Sequence, residues 1–178
     1  NNVYHTVPIG TQCWMQENLR FGSATNSLQE PMADNCLPER YCLPGDPVCS
    51  EYGSLYQWQE LMQYSLADRP QGLCPPGWHI PNEAEWQVLI NNVSAGSGSG
   101  TAGSFLKDAY SPGSFTAIPA GFSYLNHPVS LGGTVRGTFF WTSTTSNSGQ
   151  SVVVRGLNSE IPSVSRYESA PANAFPVR

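Results

Sequence analysis

A chain of 178 residues suits a single domain over residues 1–178, which can bury about 70% of the surface that its unfolded form exposes. Charged residues make up only 12% of it, the net charge is −5, and Lys107 is the single lysine. No basic cluster and no apolar run of about 18 residues occurs, so we expect neither nucleic-acid binding nor direct membrane insertion.

The first third of the chain predicts two short strands followed by a long loop. Residues 3–9 alternate well enough for an edge strand, since Pro8 cannot donate to a central ladder. After a Gly-Thr turn, residues 12–19 form the second strand, whereas residues 22–50 show neither a helical nor a strand period. A loop of that length is unusual unless it is pinned or functional.

The five cysteines favour an oxidising compartment and disulfides, because no Cys-x-x-Cys pair and no closely spaced histidine pair suggests zinc. Cys42 and Cys49 enclose a Pro-Gly-Asp-Pro turn that can return the chain within bridging distance, so we predict a disulfide between them. The odd count leaves at least one cysteine free, bonded to another chain, or paired outside residues 1–178. Among the other three, a Cys13–Cys36 bridge is preferred and Cys74 is expected to stay unpaired.

Four acidic residues in or beside the long loop admit two interpretations. They are Asp34, Glu39, Asp46 and Glu51. Their oxygens could surround a structural calcium ion. We favour solvated carboxylates with turn roles, as for Asp46 after its Pro-Gly pair. No cofactor and no other metal is predicted.

The middle of the chain predicts two helices. From Tyr52 onward one stripe carries apolar residues at helical spacing: Leu55, Trp58, Leu61, Met62 and Leu66. The second helix covers residues 82–93, with Asn82 as N-cap and Glu85 reaching back to it. Residues 94–103 have the composition of a flexible intradomain loop, and a short helical turn follows at residues 105–107.

Beyond Pro112 the pattern predicts strands. They cover residues 115–122 leading into Tyr124, then 137–144, 151–155, 164–167 and 174–178. Strands at both ends of the chain, with two helices early in it, define an α+β domain.

Six blocks of this sequence resemble, in the same order, the Fibrobacter succinogenes major paralogous domain, called FISUMP. They are residues 9–19, 52–58, 74–86, 115–122, 140–144 and 174–178. The block from Cys74 to Trp86 is the most specific, and its last seven residues are also similar to formylglycine-generating enzymes.

The resemblance implies a C-type lectin-like fold. Two helices would flank a mostly antiparallel twisted sheet with long disulfide-pinned loops, and the first and last strands would lie close together. It also implies a secreted or surface-attached bacterial protein, in a class whose related domains serve as adhesins, fibre tips and receptor-binding proteins. Family members usually carry a cysteine directly after the closing Val-Arg, which would pair with Cys74, and this chain stops at Arg178. We therefore expect a domain cut from a longer surface protein.

No enzyme is predicted. The calcium-dependent sugar motifs of true lectins and the C-terminal cysteine pair of formylglycine enzymes are both missing from the sequence. A Gly-x-Ser-x-Gly match at residues 96–100 lies in linker composition, without the buried strand that a nucleophile elbow needs. Of the three histidines, His79 is predicted to pack in a strand, and His127 to be exposed.

We expect a non-enzymatic recognition or adhesion domain that binds a cell-surface glycan or protein ligand. Its late loops combine Tyr, Asn, Ser, Gly and Arg, a composition typical of binding surfaces. The candidate contacts are Tyr124, Asn126 and His127 from one loop, Trp141 and Asn147 from the next, and Arg155, Asn158, Arg166 and Tyr167 from the last strands. The alternative is a structural module that assembles into a filament or surface layer, as a homo-oligomer such as a trimeric fibre.

Overall fold

The structure is a computed structural model that describes residues 2–25, 31–67, 70–95, 98–108, 114–124, 127–128 and 137–178. The described helices are α1 (Trp58–Leu61), α2 (Glu83–Val93) and α3 (Ala102–Lys107), and a 3₁₀ turn over Ser99–Thr101 precedes α3. The described strands are β1 (Thr6–Ile9), β2 (Gln12–Met15), β3 (Ser23–Ala24), β4 (Glu39–Arg40), β5 (Tyr56–Gln57), β6 (Ser123–Tyr124), β7 (His127–Pro128), β8 (Gly137–Thr145), β9 (Val152–Asn158), β10 (Val164–Ser169) and β11 (Ala174–Phe175). None of the helices in this part of the chain has the length and apolarity needed to traverse a bilayer.

Two sheets contain most of these strands. In the first, β9 lies between β10 and β8 and runs antiparallel to both. In the second, the order is β5, β11, β6 and β7, again antiparallel. β1 and β2 form a separate hairpin, and β3 pairs with β4 in parallel. Short helices with mainly antiparallel sheets agree with the predicted α+β class, and residues 137–145 are strand as expected.

Helix α2 begins where the local sequence predicts. The Asn82 side chain accepts a hydrogen bond from the Glu85 amide at 2.9 Å, and the Glu85 carboxylate accepts one from the Asn82 amide at 2.9 Å. This reciprocal capping box satisfies two amide donors at the helix start. Trp86, Leu89 and Ile90 form the buried stripe of the helix.

Aromatic side chains fill the core on both faces of the β10–β9–β8 sheet. On the α2 side, Trp86 lies 5.5 Å from Phe140 and 5.8 Å from Phe115 between ring centroids. On the other side, Trp141 lies 4.6 Å from Phe175. Successive residues Phe140 and Trp141 thus anchor opposite faces, as the pleat of a strand requires.

The last residues of the chain lie against the segment that follows β2, whereas β11 itself pairs with β5 and β6 and not with β1. The Leu19 amide donates to the Val177 carbonyl at 3.0 Å, and the Arg178 Nε donates to the Asn18 side chain at 2.7 Å. The segment after β2 therefore carries the last residues of the chain.

The first predicted helix was wrong in its extent. Residues 52–55 are not helical, residues 56–57 form β5, and α1 has only four residues. Gly53 has a φ of +75° and approaches Asn18 so closely that a Cβ would lie 2.4 Å from the Asn18 Cβ. Gln63 and Tyr64 adopt left-handed backbone conformations that end the helix. Leu66, assigned to the buried stripe, is 86% exposed.

The predicted strand over residues 115–122 is also absent; only an isolated bridge from Gly121 to Thr138 occurs there. Thr116 has a φ of 52°, which breaks the extended path. The carbonyls of Phe115 and Thr116 accept hydrogen bonds from the guanidinium of Arg178 instead of from a neighbouring strand.

The disulfide prediction was right for one pair and wrong for the other. Cys42 and Cys49 are bridged, with their Cα atoms 5.0 Å apart. Cys13 and Cys36 are both free and exposed, so the preferred Cys13–Cys36 bridge does not form, and Cys74 is a free, buried thiol.

The calcium interpretation finds no support in the described residues, where no group of three or more His, Cys, Asp or Glu side chains is placed to hold a metal ion. Asp46 instead accepts hydrogen bonds from the amides of Ser50 and Glu51 at 2.8 and 2.9 Å. Burial alone raises the pKa of this carboxyl, but the bonds from Glu51, Ser50 and Tyr52 bring the pKa below its usual value. Glu39 accepts from the Ala33 amide at 2.9 Å.

Candidate functional site

Trp141, predicted as a ligand contact, belongs to the core. Its side chain is completely buried, and its Nε1 donates to the Tyr56 carbonyl at 2.7 Å. An indole that already has its hydrogen-bond partner and no exposed surface cannot touch a ligand in this fold. The prediction for Trp141 is therefore corrected to a structural anchor.

Arg155 is a structural residue as well. Its side chain is only 6% exposed, and its Nε and Nη2 hold the two carboxylate oxygens of Glu83 at 3.1 and 2.5 Å. Glu83 is the first residue of α2, where a negative charge favours the helix dipole. This pair fastens the start of α2 to the middle of β9, so Arg155 is not available to a ligand.

Arg166 and Tyr167 point to opposite faces of the β10–β9–β8 sheet. Arg166 stands opposite Arg155 in the register, and its Nε also contacts Glu83, at 3.2 Å. Tyr167 stands opposite Val154, on the face that carries Trp141. The two side chains therefore do not share a face of the sheet, although the sequence suggested one surface for both.

The other predicted contacts are scattered or lie outside the described residues. Asn147 is exposed in the turn that joins β8 to β9. Asn158 ends β9 at the opposite end of the sheet, where its side chain accepts from the Glu160 amide at 2.8 Å. Asn126 and the side chains of Tyr124 and His127 lie outside the described part of the structure, and Tyr124 pairs with His127 through their backbones.

A partly exposed row of aromatic rings does form around Tyr167. We call Phe122, Phe139 and Tyr167 the aromatic row. Phe139 lies 5.6 Å from Tyr167 and 5.1 Å from Phe122 between ring centroids, both edge to face. Tyr167 is 49% exposed, while the two phenylalanines are half-buried over Phe175.

Gly156 makes room for this row. A Cβ built on Gly156 would lie 3.0 Å from ring carbons of both Phe139 and Tyr167, so the two rings close over the bare backbone of β9. Phe122, Phe139 and Gly156 were missed by the sequence analysis. A glycine inside a valine-rich strand was the available clue, since such a glycine often marks the close approach of another group.

A separate cleft of about 330 Å³ bears on the question of catalysis. It is lined by the β1–β2 hairpin and by the turn before α2, and it brings Cys13, His79 and Glu85 together. His79 Nε2 lies 2.9 Å from Glu85 Oε1, a pair that could orient an imidazole. However, no hydrogen bond in the described structure joins Cys13 to His79, so the thiol has no base in contact with it.

The geometry defines an α+β domain of short strands, with one disulfide and a sheet that presents a partly exposed aromatic row. The profile of the Fibrobacter succinogenes major domain matches residues 7–178, and the chain belongs to this family. Searches among curated proteins and solved structures returned no significant match. Family membership and the disulfide indicate an extracellular bacterial domain.

Proposed function

We propose that this chain is a secreted, non-enzymatic recognition domain of a bacterial surface or fibre protein. Its ligand is a glycan or protein on a cell surface, bound by the aromatic row together with the chain segment around Tyr124, Asn126 and His127. The single observation that carries this proposal is the exposure of Tyr167, 49%, on a ring cluster with a fixed position. Large aromatic side chains that are exposed yet immobilised are the usual hot spots of binding surfaces.

The sheet beneath the row supports this role because it is held rigidly on its other face. Arg155 ties β9 to α2 through Glu83, and the Ser143 amide of β8 donates to the Pro81 carbonyl at 2.9 Å. A ligand that stacks on Tyr167 would therefore meet a surface that loses little conformational freedom on binding.

A C-type lectin-like fold is part of the proposal. Such a fold would have the capped helix α2 on one face of a three-stranded sheet, the disulfide-pinned loop, and the contact of the last residues with the segment after β2. An experimental structure with a sheet order different from β10–β9–β8 would contradict it.

The binding test begins with the natural ligand, identified by glycan array or by binding to whole cells. Tyr167→Ala should cost about 1 kcal/mol or more of binding free energy, a loss of about fivefold or more in affinity. Phe105→Ala is the matched control, because Phe105 is similarly exposed, at 44%, but lies on α3. Equal affinities for the parent chain and Tyr167→Ala would show that the row is not the binding surface.

Assembly remains the alternative, and one observation favours it. β10 is an edge strand, with β9 on one side and no strand of the described residues on the other. Arg166 and Glu168 on this strand are charged and exposed, which opposes edge-to-edge pairing. Recognition is thus the better-supported function. If light scattering found a stable oligomer that a proline in β10 disrupts, assembly would become the better-supported function.

A further inference from the structure

A second cleft, of about 770 Å³, lies away from the aromatic row and shares no lining residue with it. The segment after β2, the strand β4 and the turn at residues 71–76 surround it. We call it the arginine cleft, because Arg20 and Arg40 both line it. Its volume is in the range of pockets that hold small molecules, about 300–1,000 Å³.

The two guanidinium groups of this cleft have no carboxylate partner among the described residues. Arg20 donates to the carbonyls of Ser50 and Val3, both at 3.4 Å. Arg40 uses its Nη1 for the Arg20 carbonyl at 3.0 Å and the Ser54 hydroxyl at 3.4 Å. The Nε atoms of both arginines are shielded from solvent and have no acceptor in the described structure.

Arg155 shows what such a group does when its partner is present. There, Nε and Nη2 together grip the two oxygens of Glu83. This edge carries two parallel N–H donors at the spacing of a carboxylate, and the resulting bonds are charge-assisted. The described bonds of Arg40 all come from Nη1, and its Nε is shielded from solvent, so Nη2 is the atom that can donate to an anion in the cleft.

Nothing else on the described walls of the cleft neutralises this positive charge. Burial raises the pKa of the Cys74 thiol to about 12, so the thiol stays protonated and uncharged. The Tyr4 hydroxyl accepts from the Arg20 amide at 3.0 Å, and the described lining includes no Asp or Glu. The cleft thus combines two cations with neutral walls, which is the electrostatic setting for an anion.

The rest of the lining suits a sugar ring more than a bare ion. Phe21 stands on the cleft and is 47% exposed, so its face can stack on the apolar side of a pyranose. The side-chain amides of Asn2, Gln63 and Gln71 also line the cleft. Their nitrogens donate to backbone carbonyls, and their oxygens can accept hydrogen bonds from hydroxyl groups.

We propose that the arginine cleft binds an acidic saccharide, whose carboxylate is held by Arg40 and Arg20 while its ring stacks on Phe21. This site is separate from the aromatic row, so a failure of the function proposed above would not contradict it. The two sites together would let one domain contact two parts of an acidic glycan or two different ligands.

The test is calorimetric titration of the folded chain with glucuronate, and with glucose and the methyl ester of glucuronic acid as neutral counterparts. We expect saturable binding of glucuronate and about tenfold or weaker binding of both neutral sugars, because neither carries the carboxylate. Sulfate alone serves as the probe for a simple anion site, and a glutamate-rich peptide as the probe for a protein partner.

Arg40→Gln should lower the affinity for glucuronate about tenfold or more, and Arg40→Lys should recover only part of it, because an ammonium lacks the paired donors. Phe21→Ala should weaken glucuronate binding but leave sulfate unaffected. Arg166→Gln, an arginine outside the cleft, and Tyr167→Ala should change neither. Thermal melts of each variant check that the fold is intact. If an arginine variant unfolds, Phe21→Ala still tests the cleft, because Phe21 is exposed and its replacement should not disturb the fold.

Three results would overturn the proposal. The first is glucose binding as tightly as glucuronate, or no saturable glucuronate binding at all. The second is sulfate or the glutamate-rich peptide binding more tightly than glucuronate. The third is an unchanged glucuronate affinity in both Arg40→Gln and Phe21→Ala.

Discussion

Replacement of Arg178 by leucine should destabilise the domain more than the loss of any exposed arginine. The guanidinium is almost completely buried and donates from Nε to Asn18, from Nη1 to the Phe115 carbonyl, and from Nη2 to the Thr116 carbonyl. It also lies over the Phe115 ring, 4.6 Å from the centroid. Arg178→Leu removes all of these bonds and leaves three acceptors without their donor, two of them buried and one partly buried.

The magnitude follows from two opposing contributions. Hydrogen bonds that involve a charged group contribute about 1.5–3 kcal/mol each, so three of them at the lower end amount to about 4.5 kcal/mol. Burial lowers the pKa of Arg178 to about 9, which shows that removing this charge from water is itself unfavourable. Leucine avoids that cost and keeps apolar contact with the rings, which we take as about 1.5 kcal/mol. The expected net loss in the free energy of unfolding is about 3 kcal/mol.

Urea unfolding, followed by tryptophan fluorescence, measures this loss directly. Arg166→Leu is the control, since Arg166 has a side chain 46% exposed and its ion pairs with Glu83 and Glu168 are near the surface. We expect the control to lose less than about 1 kcal/mol. A loss in Arg178→Leu no larger than that of Arg166→Leu would refute the assignment of Arg178 as the link between residues 18 and 115–116.

Two further perturbations test the long loop. Asp46→Asn should cost about 1–3 kcal/mol at neutral pH, because the loop amides lose their charged acceptor. Since the pKa of Asp46 is lowered in the folded state, its stabilisation is present above the unfolded pKa of about 4 and is lost as the pH falls through the folded pKa. The difference between parent and variant should therefore shrink in acid titrations of stability, and a constant difference would contradict this. For the Cys42–Cys49 bridge, replacing both cysteines with serine should lower the free energy of unfolding by about 2.5 kcal/mol, as loop entropy predicts; an unchanged urea midpoint would show that the bridge does not stabilise the fold.

The elements predicted correctly from sequence are those whose determinants are local. Helix α2 carries its capping box and its buried stripe within its own residues, so pattern and structure agree. The Cys42–Cys49 bridge needs only the turn between its two cysteines. The strand β8 has a β-branched and aromatic composition that packs equally well on either face.

The wrong secondary-structure predictions share one cause, which is a contact with a residue far away in the sequence. The helical stripe from Tyr52 is interrupted because Gly53 must pass close to Asn18, a contact that no local pattern contains. The extended segment at residues 115–122 lacks a ladder because Arg178 occupies its carbonyls from the far end of the chain. Tertiary contacts of this kind override local propensity.

The predictions for Trp141 and Arg155 as ligand contacts were wrong for a different reason. Composition identifies residue types that suit binding surfaces, but it does not tell which face of a sheet each one occupies. In β9, Val152, Val153 and Val154 are all buried, so the strand shows no alternation that would have placed Arg155 inside. Arg155 then takes the Glu83 carboxylate, and the adjoining strand sends Arg166 to the same acid and Tyr167 to the opposite face.

The arginines of the described residues differ in the hydrogen-bond partners of their guanidinium groups. Arg155 and Arg166 meet Glu83, and Arg178 meets backbone carbonyls and Asn18, so these three are committed to the fold. Arg20 and Arg40 lack a carboxylate within the described part and share one cleft. The arginines that looked like ligand contacts from sequence, Arg155 and Arg166, therefore stabilise the domain. Among the described residues, Arg20 and Arg40, in the early, cysteine-bearing region, contact only carbonyl and hydroxyl oxygens, which is why the anion site that we propose lies in their cleft.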